Sequence, residues 1–295
     1  MYHIRRKIYK IRIELLYISN YLLSLFVSKD KKIYIISSLK YKNKVKEDLC
    51  LQRCFLKNGY FCKIVAWEDN DVVSLNLIRS VWGYQYNVGN FINFISSTNV
   101  VNTSNKIVNN INKKNQYELL KNNDVSVIDT KFLDDISLLK YKNNRLVIKP
   151  IISAGGYNTY IINNKSDIEK YKNLKNIMVQ PYIEGIKNGE LSVVVIAGVI
   201  KYGILRYPGV FTKYVNEKYV SKDNLSSNVL SIVNRICCID EYSDVSFMRI
   251  DLVDDNGTYR VLEVEIVDPQ LFVESIPMKR IRKIIYQDIV NSIIK

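Results

Sequence analysis

The chain contains one histidine and five cysteines. His3 lies in the terminal tail, which argues against both a Ser/His/Asp triad and a multi-histidine zinc site. Cys50 and Cys54 are four apart on an expected helix, Cys62 opens a strand and Cys237-Cys238 ends another helix. An odd number of cysteines with no CxxC pair argues against a disulfide framework and against a cysteine zinc site. It reads as reduced thiols in a cytoplasmic protein. The apolar run 13–27 is interrupted by Glu14, Ser19 and Asn20 and falls short of the roughly 20 residues a membrane span needs. No A-x-A-like site follows it, which argues against a secretory signal. Internal repeats and disordered linkers are also lacking.

Acidic residues are scarce at the N-terminal end. Residues 1–63 hold 15 Lys or Arg against 4 Asp or Glu, which is most of the formal net charge of +14. Such a segment attracts nucleic acid or an anionic membrane. Arg5, Arg6, Lys7, Lys10 and Arg12 precede or enter the apolar run, so residues 1–28 read as a packed or interfacial amphipathic helix with peripheral membrane contact. A solvated charge run is the alternative for the basic part.

What is present supports a folded chain, since 295 residues at 47% hydrophobic content can build ample core in two or three units. Residues 32–37 read as a strand, 44–58 as an amphipathic helix and 61–66 as a second strand, a β-α-β unit. A helix over 114–122 leads to a strand at 125–128, and 278–294 is helical in pattern.

The most informative stretch is 246–265. Alternation over 245–252 and 259–266, with Asn256-Gly257 between, predicts a β-hairpin. Arg249 and Asp251 then share a face, as do Glu263 and Glu265 on the partner strand. A register that joins the two pairs gathers three carboxylates and one guanidinium, a cluster that repels itself unless a cation sits in it. Hard oxygen ligands with an open position suit Mg²⁺, with Mn²⁺ in the same class. A solvated hairpin face with alternating charge is the alternative.

Two further segments bear on that choice. In 146–159 an apolar strand carrying Lys149 runs into the small-residue loop Ser153-Ala154-Gly155-Gly156, where backbone N–H groups can approach an anion. In 177–197 a short strand ends at Gln180-Pro181, and Pro181 suits a hinge before a strand led by Glu190. Taken in order, Lys149 in VIKP, the small-residue loop, Gln180-Pro181-Tyr182, Gly189-Glu190-Leu191-Ser192, Arg249-x-Asp251 and Glu263-x-Glu265 resemble the ATP-grasp superfamily. The branch they are most similar to includes glutathione synthetase and the cyclo-ligase of cycloserine biosynthesis. Arg79-Ser80-Val81-Trp82-Gly83-Tyr84 and Asn112-Lys113-Lys114 resemble its N-terminal and central-domain motifs, so the likeness runs from about residue 30 to the end.

The resemblance implies an α/β (α+β) ATP-grasp fold. Residues 1–30 would form the basic helix, 31–111 a β-α-β domain, 112–180 the lid subdomain and 181–295 a C-terminal subdomain with the metal site, ATP lying between two α+β subdomains. Lys114 and Lys149 would meet the phosphates under the Ser153, Gly155 and Gly156 loop. Gln180, Tyr182 and Ile183 would lie near the adenine and Glu190 at the ribose. Asp251, Glu263 and Glu265 would hold magnesium, with Arg249 and Arg206 beside the transferred phosphoryl group. Lys113 is the alternative to Lys114, packing the alternative role for Tyr182, and a strand-end surface charge that for Arg206. The chain departs from the branch after Arg206, reading Tyr207-Pro208-Gly209-Val210-Phe211-Thr212-Lys213 without the usual Asp-Phe-Arg, although Lys213 could stand as a point charge there.

The implied activity is ATP-dependent ligation of a small amino-acid or peptide-like carboxylate to an amine, or a cyclising version of it, through an acyl phosphate. Nucleic acid is not an expected partner, and a homodimer is a habit of the superfamily. The rival reading is a non-catalytic nucleotide-binding module that docks through its basic N-terminus on a membrane, nucleic acid or protein.

Overall fold

Ile33, Ile35 and Ile36 are almost fully buried in a strand that opens a parallel three-stranded sheet. The structure is a computed structural model and describes residues 2–69, 74–208 and 214–294. It divides into two compact units, residues 1–105 with 267–295, and residues 106–266.

In the first unit, α1 (Tyr2–Ser24) is followed by β1 (Lys32–Ser37), α2 (Lys46–Lys57), β2 (Phe61–Ala66), β3 (Leu75–Ile78) and α3 (Val88–Ser97). The sheet order β2-β1-β3 with parallel pairing is the expected β-α-β unit extended by one strand. A buried polar network joins the C-terminal stretch to this unit. Arg79 pairs with Glu47 at 3.0 Å and Asp48 at 3.5 Å and donates to the Pro269 carbonyl at 2.8 Å. Glu47 in turn accepts from the Val273 backbone N–H at 2.7 Å. The expected 181–295 subdomain therefore differs from the compact units at its end, because these bonds hold the stretch after Ile266 with α2. They also give Arg79 and Ser80 structural partners, the Ser80 hydroxyl donating to Asp48 at 2.6 Å.

The second unit contains most of α4 (Ser104–Ile111), then α5 (Lys113–Asn122), β4 (Lys131–Asp135), β5 (Leu146–Pro150), β6 (Tyr160–Ile162), α6 (Lys165–Lys170) and β7 (Lys175–Pro181). β8 (Glu190–Ile196), β9 (Val199–Pro208), β10 (Tyr214–Ser221), α7 (Ser227–Cys237), α8 (Asp240–Ser243), β11 (Phe247–Asp255) and β12 (Thr258–Glu265) complete it. Asn112 caps α5, accepting the Lys114 N–H at 2.9 Å. The four-stranded sheet has order β4-β7-β5-β6, and the larger antiparallel sheet has order β10-β9-β8-β11-β12. Leu191, Val193, Ile250, Leu252 and Val264 on one face of the larger sheet form a core with Val229, Ile232, Val233 and Ile236 of α7.

Asn256 and Gly257 adopt φ 54° and 88°, the left-handed pair a tight hairpin turn needs, so the β11–β12 hairpin forms where the sequence places it. The strand expected at 125–128 is reduced to one parallel bridge, Val127 to Val261. The Val261 N–H donates to the Ser126 carbonyl at 2.8 Å, and the chain then leaves the sheet edge.

Candidate nucleotide and phosphoryl-transfer site

The face of the larger sheet opposite α7 carries a row of charge, placed there by two one-residue register shifts. Next to the Asn256-Gly257 turn Leu252 pairs with Val261, but beyond it Asp251 pairs with Glu263 and Arg249 with Glu265. Leu262 is the extra residue. Because side chains alternate faces, a uniform register would put Asp251 opposite Leu262 and turn both glutamates to the other side. The β8–β9 hairpin repeats the device: Val195 pairs with Ile200 but Val194 with Tyr202, and Lys201 is the extra residue. That shift puts Glu190 opposite Arg206. With Ser192 opposite Asp251 in the β8–β11 register, Arg206, Glu190, Ser192, Asp251, Arg249, Glu263 and Glu265 come to one face.

These side chains interact closely. Arg249 grips Asp251 with two hydrogen bonds of 2.8 and 2.9 Å, Arg206 approaches the same carboxylate at 3.2 Å, and the Ser192 hydroxyl donates to it at 2.6 Å. Arg206 also pairs with Glu190, and both are buried. Burial opposes the charge on Asp251, but Arg249 and Arg206 outweigh it and hold the carboxyl well below the usual carboxylate range. Against its burial, the Glu263 carboxyl is likewise held below its ordinary value, first by Lys113 and then by Lys149. Both are therefore anions at neutral pH.

Lys113, not Lys114, is the lysine at this face. As the first residue of α5 it is buried and ion-paired with Glu263, whereas Lys114 is exposed and only its backbone N–H is used, in the Asn112 cap. Lys149 is half-buried on β5, near enough to Glu263 to bias its charge. Ser153 is buried, while Gly155 and Gly156 are exposed at φ 60° and 77°, conformations that favour glycine.

Gln180 is buried at the end of β7, its amide donating to the Thr130 hydroxyl at 2.9 Å. It lines a cavity of about 20 Å³, room for about one water, together with Lys113, Met178 and Ile128. Tyr182 is half-buried beneath the Arg145 guanidinium, which lies 3.8 Å from the ring centroid, and Ile183 beside it is also half-buried. Residues 209–213, and Lys213 with them, lie outside the described residues.

Two features had no role in the sequence reasoning, Ser192 being named there only as the end of the Gly189-Glu190-Leu191-Ser192 run. Ser192 was legible in principle, two residues from Glu190 and so on the same strand face. The other is a clasp on β12, the last strand of the sheet. Asn110 and Gln116 donate to the Val264 carbonyl at 2.9 and 2.8 Å, and Gln116 accepts the Val264 N–H at 2.9 Å. Two buried carboxamides thus replace a neighbouring strand at the residue between Glu263 and Glu265. No sequence pattern announces such a contact across a helix break.

Among the described residues no three His, Cys, Asp or Glu side chains stand together as a ready metal set. The donor chemistry nevertheless fits a hard cation, since Asp251 and Glu263 are ionised carboxylates at facing positions. In the present arrangement their charge is met by Arg206, Arg249 and Lys113.

Three comparisons bear on this geometry. The family model of the ATP-grasp domain matches residues 110–264, more than half of the chain. A search of curated protein sequences gives no match. Among solved structures, the chain is similar to the D-cycloserine synthetase DcsG at TM-score 0.71 and 16% identity, over 88% of this chain and 99% of that one. It is similar to D-alanine--D-alanine ligase from Bacillus anthracis, solved with ATP, at TM-score 0.64 and 16% identity, over 90% and 96%. The ligase PsnB, solved with a minimal precursor, Mg and ADP, gives TM-score 0.62 and 14% identity, over 91% and 100%. Likeness at these identities speaks for the fold.

Proposed function

This chain belongs to the ATP-grasp family, and on that premise we propose that it is an ATP-dependent ligase joining a small amino-acid or peptide-like carboxylate to an amine, or closing such a bond within one molecule. The observation that carries the reading is the charged row itself. Two bulges and a buried ion-pair chain hold ionised carboxylates beside two arginines, an arrangement costly to bury unless it is used. The solved structures similar to it act in keeping with this, one named as a D-cycloserine synthetase and one as a D-alanine--D-alanine ligase.

In this reading Lys113 and Lys149 bind the phosphates, the loop at Ser153, Gly155 and Gly156 covers them, Gln180, Tyr182 and Ile183 border the adenine, and Glu190 meets the ribose. Asp251, Glu263 and Glu265 would hold magnesium, which supplies charge neutralisation on the phosphate oxygens. Arg249 and Arg206 meet the charge that develops as the γ-phosphoryl group passes to the substrate carboxylate. The amine then displaces phosphate from the acyl phosphate. No protein nucleophile takes part, so catalysis is positioning and electrostatic stabilisation. Glu190 and Asp251 each lean on Arg206, so the ribose end and the phosphoryl end of the site share one cation.

The test is the thermal midpoint with and without Mg²⁺ and a non-hydrolysable ATP analogue, for the wild type and for Asp251→Asn/Glu263→Gln. Ligand at a hundredfold excess over Kd adds about 2.7 kcal/mol to native stability. A magnesium-dependent rise lost in the double variant, followed by phosphate release with carboxylate and amine pairs, is expected. A rise without turnover on any pair would favour a nucleotide-binding module, and no rise in either protein would sink both readings.

A further inference from the structure

Helix α1 has two apolar faces, and only one is covered. On the covered face Asn20 is fully buried against α2, donating to the Leu49 carbonyl at 2.8 Å and to the Gln52 side chain at 2.9 Å. Arg53 of α2 donates to Asn20 at 3.0 Å and to Ser19. These bonds fix the rotation of the helix about its axis. With that rotation set, Ile8, Ile11, Leu15, Ile18 and Leu22 point to solvent, each 45–61% exposed, and Leu25 continues the row just past the helix end at 62%. Their spacing alternates between three and four residues, so they form one stripe, roughly 25 Å long at 1.5 Å per residue. Phe26, 86% exposed, and Tyr21, 57% exposed, extend it.

Cations border the stripe on both sides. At 100° per residue Lys7 and Lys10 lie along one edge and Arg12 along the other, all exposed, and Glu14 is the helix's single acid. Long basic side chains at the margins of an apolar stripe can keep their charges in a headgroup layer while the stripe enters the acyl boundary. Tyrosine and phenylalanine suit that boundary as well. No helix among the described residues is long and apolar enough to cross a membrane, so insertion would be lateral.

We propose that α1 docks this protein flat on the surface of an anionic phospholipid bilayer. Charge selects this occupant over a second copy of the chain. Two α1 helices face to face would bring together cations of the same sign, in chains that each carry a formal +14, whereas an anionic surface neutralises them. The helix lies within the first compact unit, and the residues of the charged row belong to the second.

The full chain is tested by co-sedimentation with vesicles of phosphatidylcholine alone and of equal parts phosphatidylcholine and phosphatidylglycerol. Binding is expected only with the anionic vesicles, and it should weaken as salt is raised. Lys10→Gln/Arg12→Gln should lower the partition coefficient about thirtyfold, and Leu15→Gln/Leu22→Gln at least tenfold, with circular dichroism unchanged because all four sites are exposed. Binding that ignores either pair of substitutions, equal binding to neutral vesicles, or no binding at all would overturn the proposal. So would a dimer in sedimentation equilibrium that Leu15→Gln/Leu22→Gln dissociates, since the stripe would then belong to a second copy.

Discussion

Arg206 is shared by two buried carboxylates, Glu190 and Asp251, and that sharing has a measurable energetic signature. In Asp251→Asn the guanidinium of Arg206 keeps Glu190, and Arg249 keeps the field of Glu265 and Glu263. Breaking a buried ion pair by removing one partner costs about 3–5 kcal/mol, and the remaining partners place this change at the lower end, about 3 kcal/mol. Glu190→Gln leaves Arg206 with Asp251 and should cost a similar amount. The double variant leaves Arg206 with neither, so its cost should exceed the sum of the single ones by about 1–3 kcal/mol.

Urea unfolding reads this out, provided the probe reports the right unit. Both tryptophans, Trp67 and Trp82, lie in the first compact unit, so their fluorescence follows that unit and far-ultraviolet circular dichroism is needed for the second. With a urea slope of roughly 2 kcal/mol per molar, a 3 kcal/mol loss moves the dichroism midpoint by about 1.5 M. The tryptophan transition should move less. Additivity within about 0.5 kcal/mol would refute the sharing of Arg206 and leave Glu190 and Asp251 as independent pairs.

Lys113→Ala should abolish the nucleotide-dependent rise in thermal midpoint while Lys114→Ala keeps it, because only Lys113 is buried against Glu263; the reverse result would return the phosphate role to Lys114. Gln116→Ala removes the acceptor of the Val264 N–H and one donor to its carbonyl, so hydrogen exchange at Val264 should accelerate, with about 1–3 kcal/mol lost from the second unit. Gly185→Ala would set a Cβ 1.8 Å from the Asp254 carbonyl oxygen, a backbone clash that should lower the melting temperature of the second unit; an unchanged melting temperature would count against this close approach. Burial pushes the Cys50 and Cys237 thiols up to about 11, so at pH 8 only about one part in a thousand is thiolate, and labelling by a thiol reagent should quicken about tenfold per pH unit until near pH 11.

Local signals carried the sequence reading a long way: the Asn256-Gly257 turn, the alternation of the flanking strands and the β-α-β start all stand in the fold. Which of Lys113 and Lys114 meets Glu263 depends on the helix start, because Asn112 spends its side chain on the cap and this orients the first turn of α5. The charged face required more. A two-residue turn at Asn256-Gly257 with uniform pairing sends Glu263 and Glu265 into the α7 core, where Val264 belongs. The signal was present in the apolar spacing: Val261 and Val264 are both buried although they are three residues apart, which uniform alternation forbids. The phase slips at Leu262, and the same reasoning applied to Lys201 on β9 brings Arg206 opposite Glu190. A single extra residue in each of two strands turns what reads as an alternating solvated hairpin into an ionised site. Removing either would cost the face and not merely one side chain, because every residue beyond it changes sides.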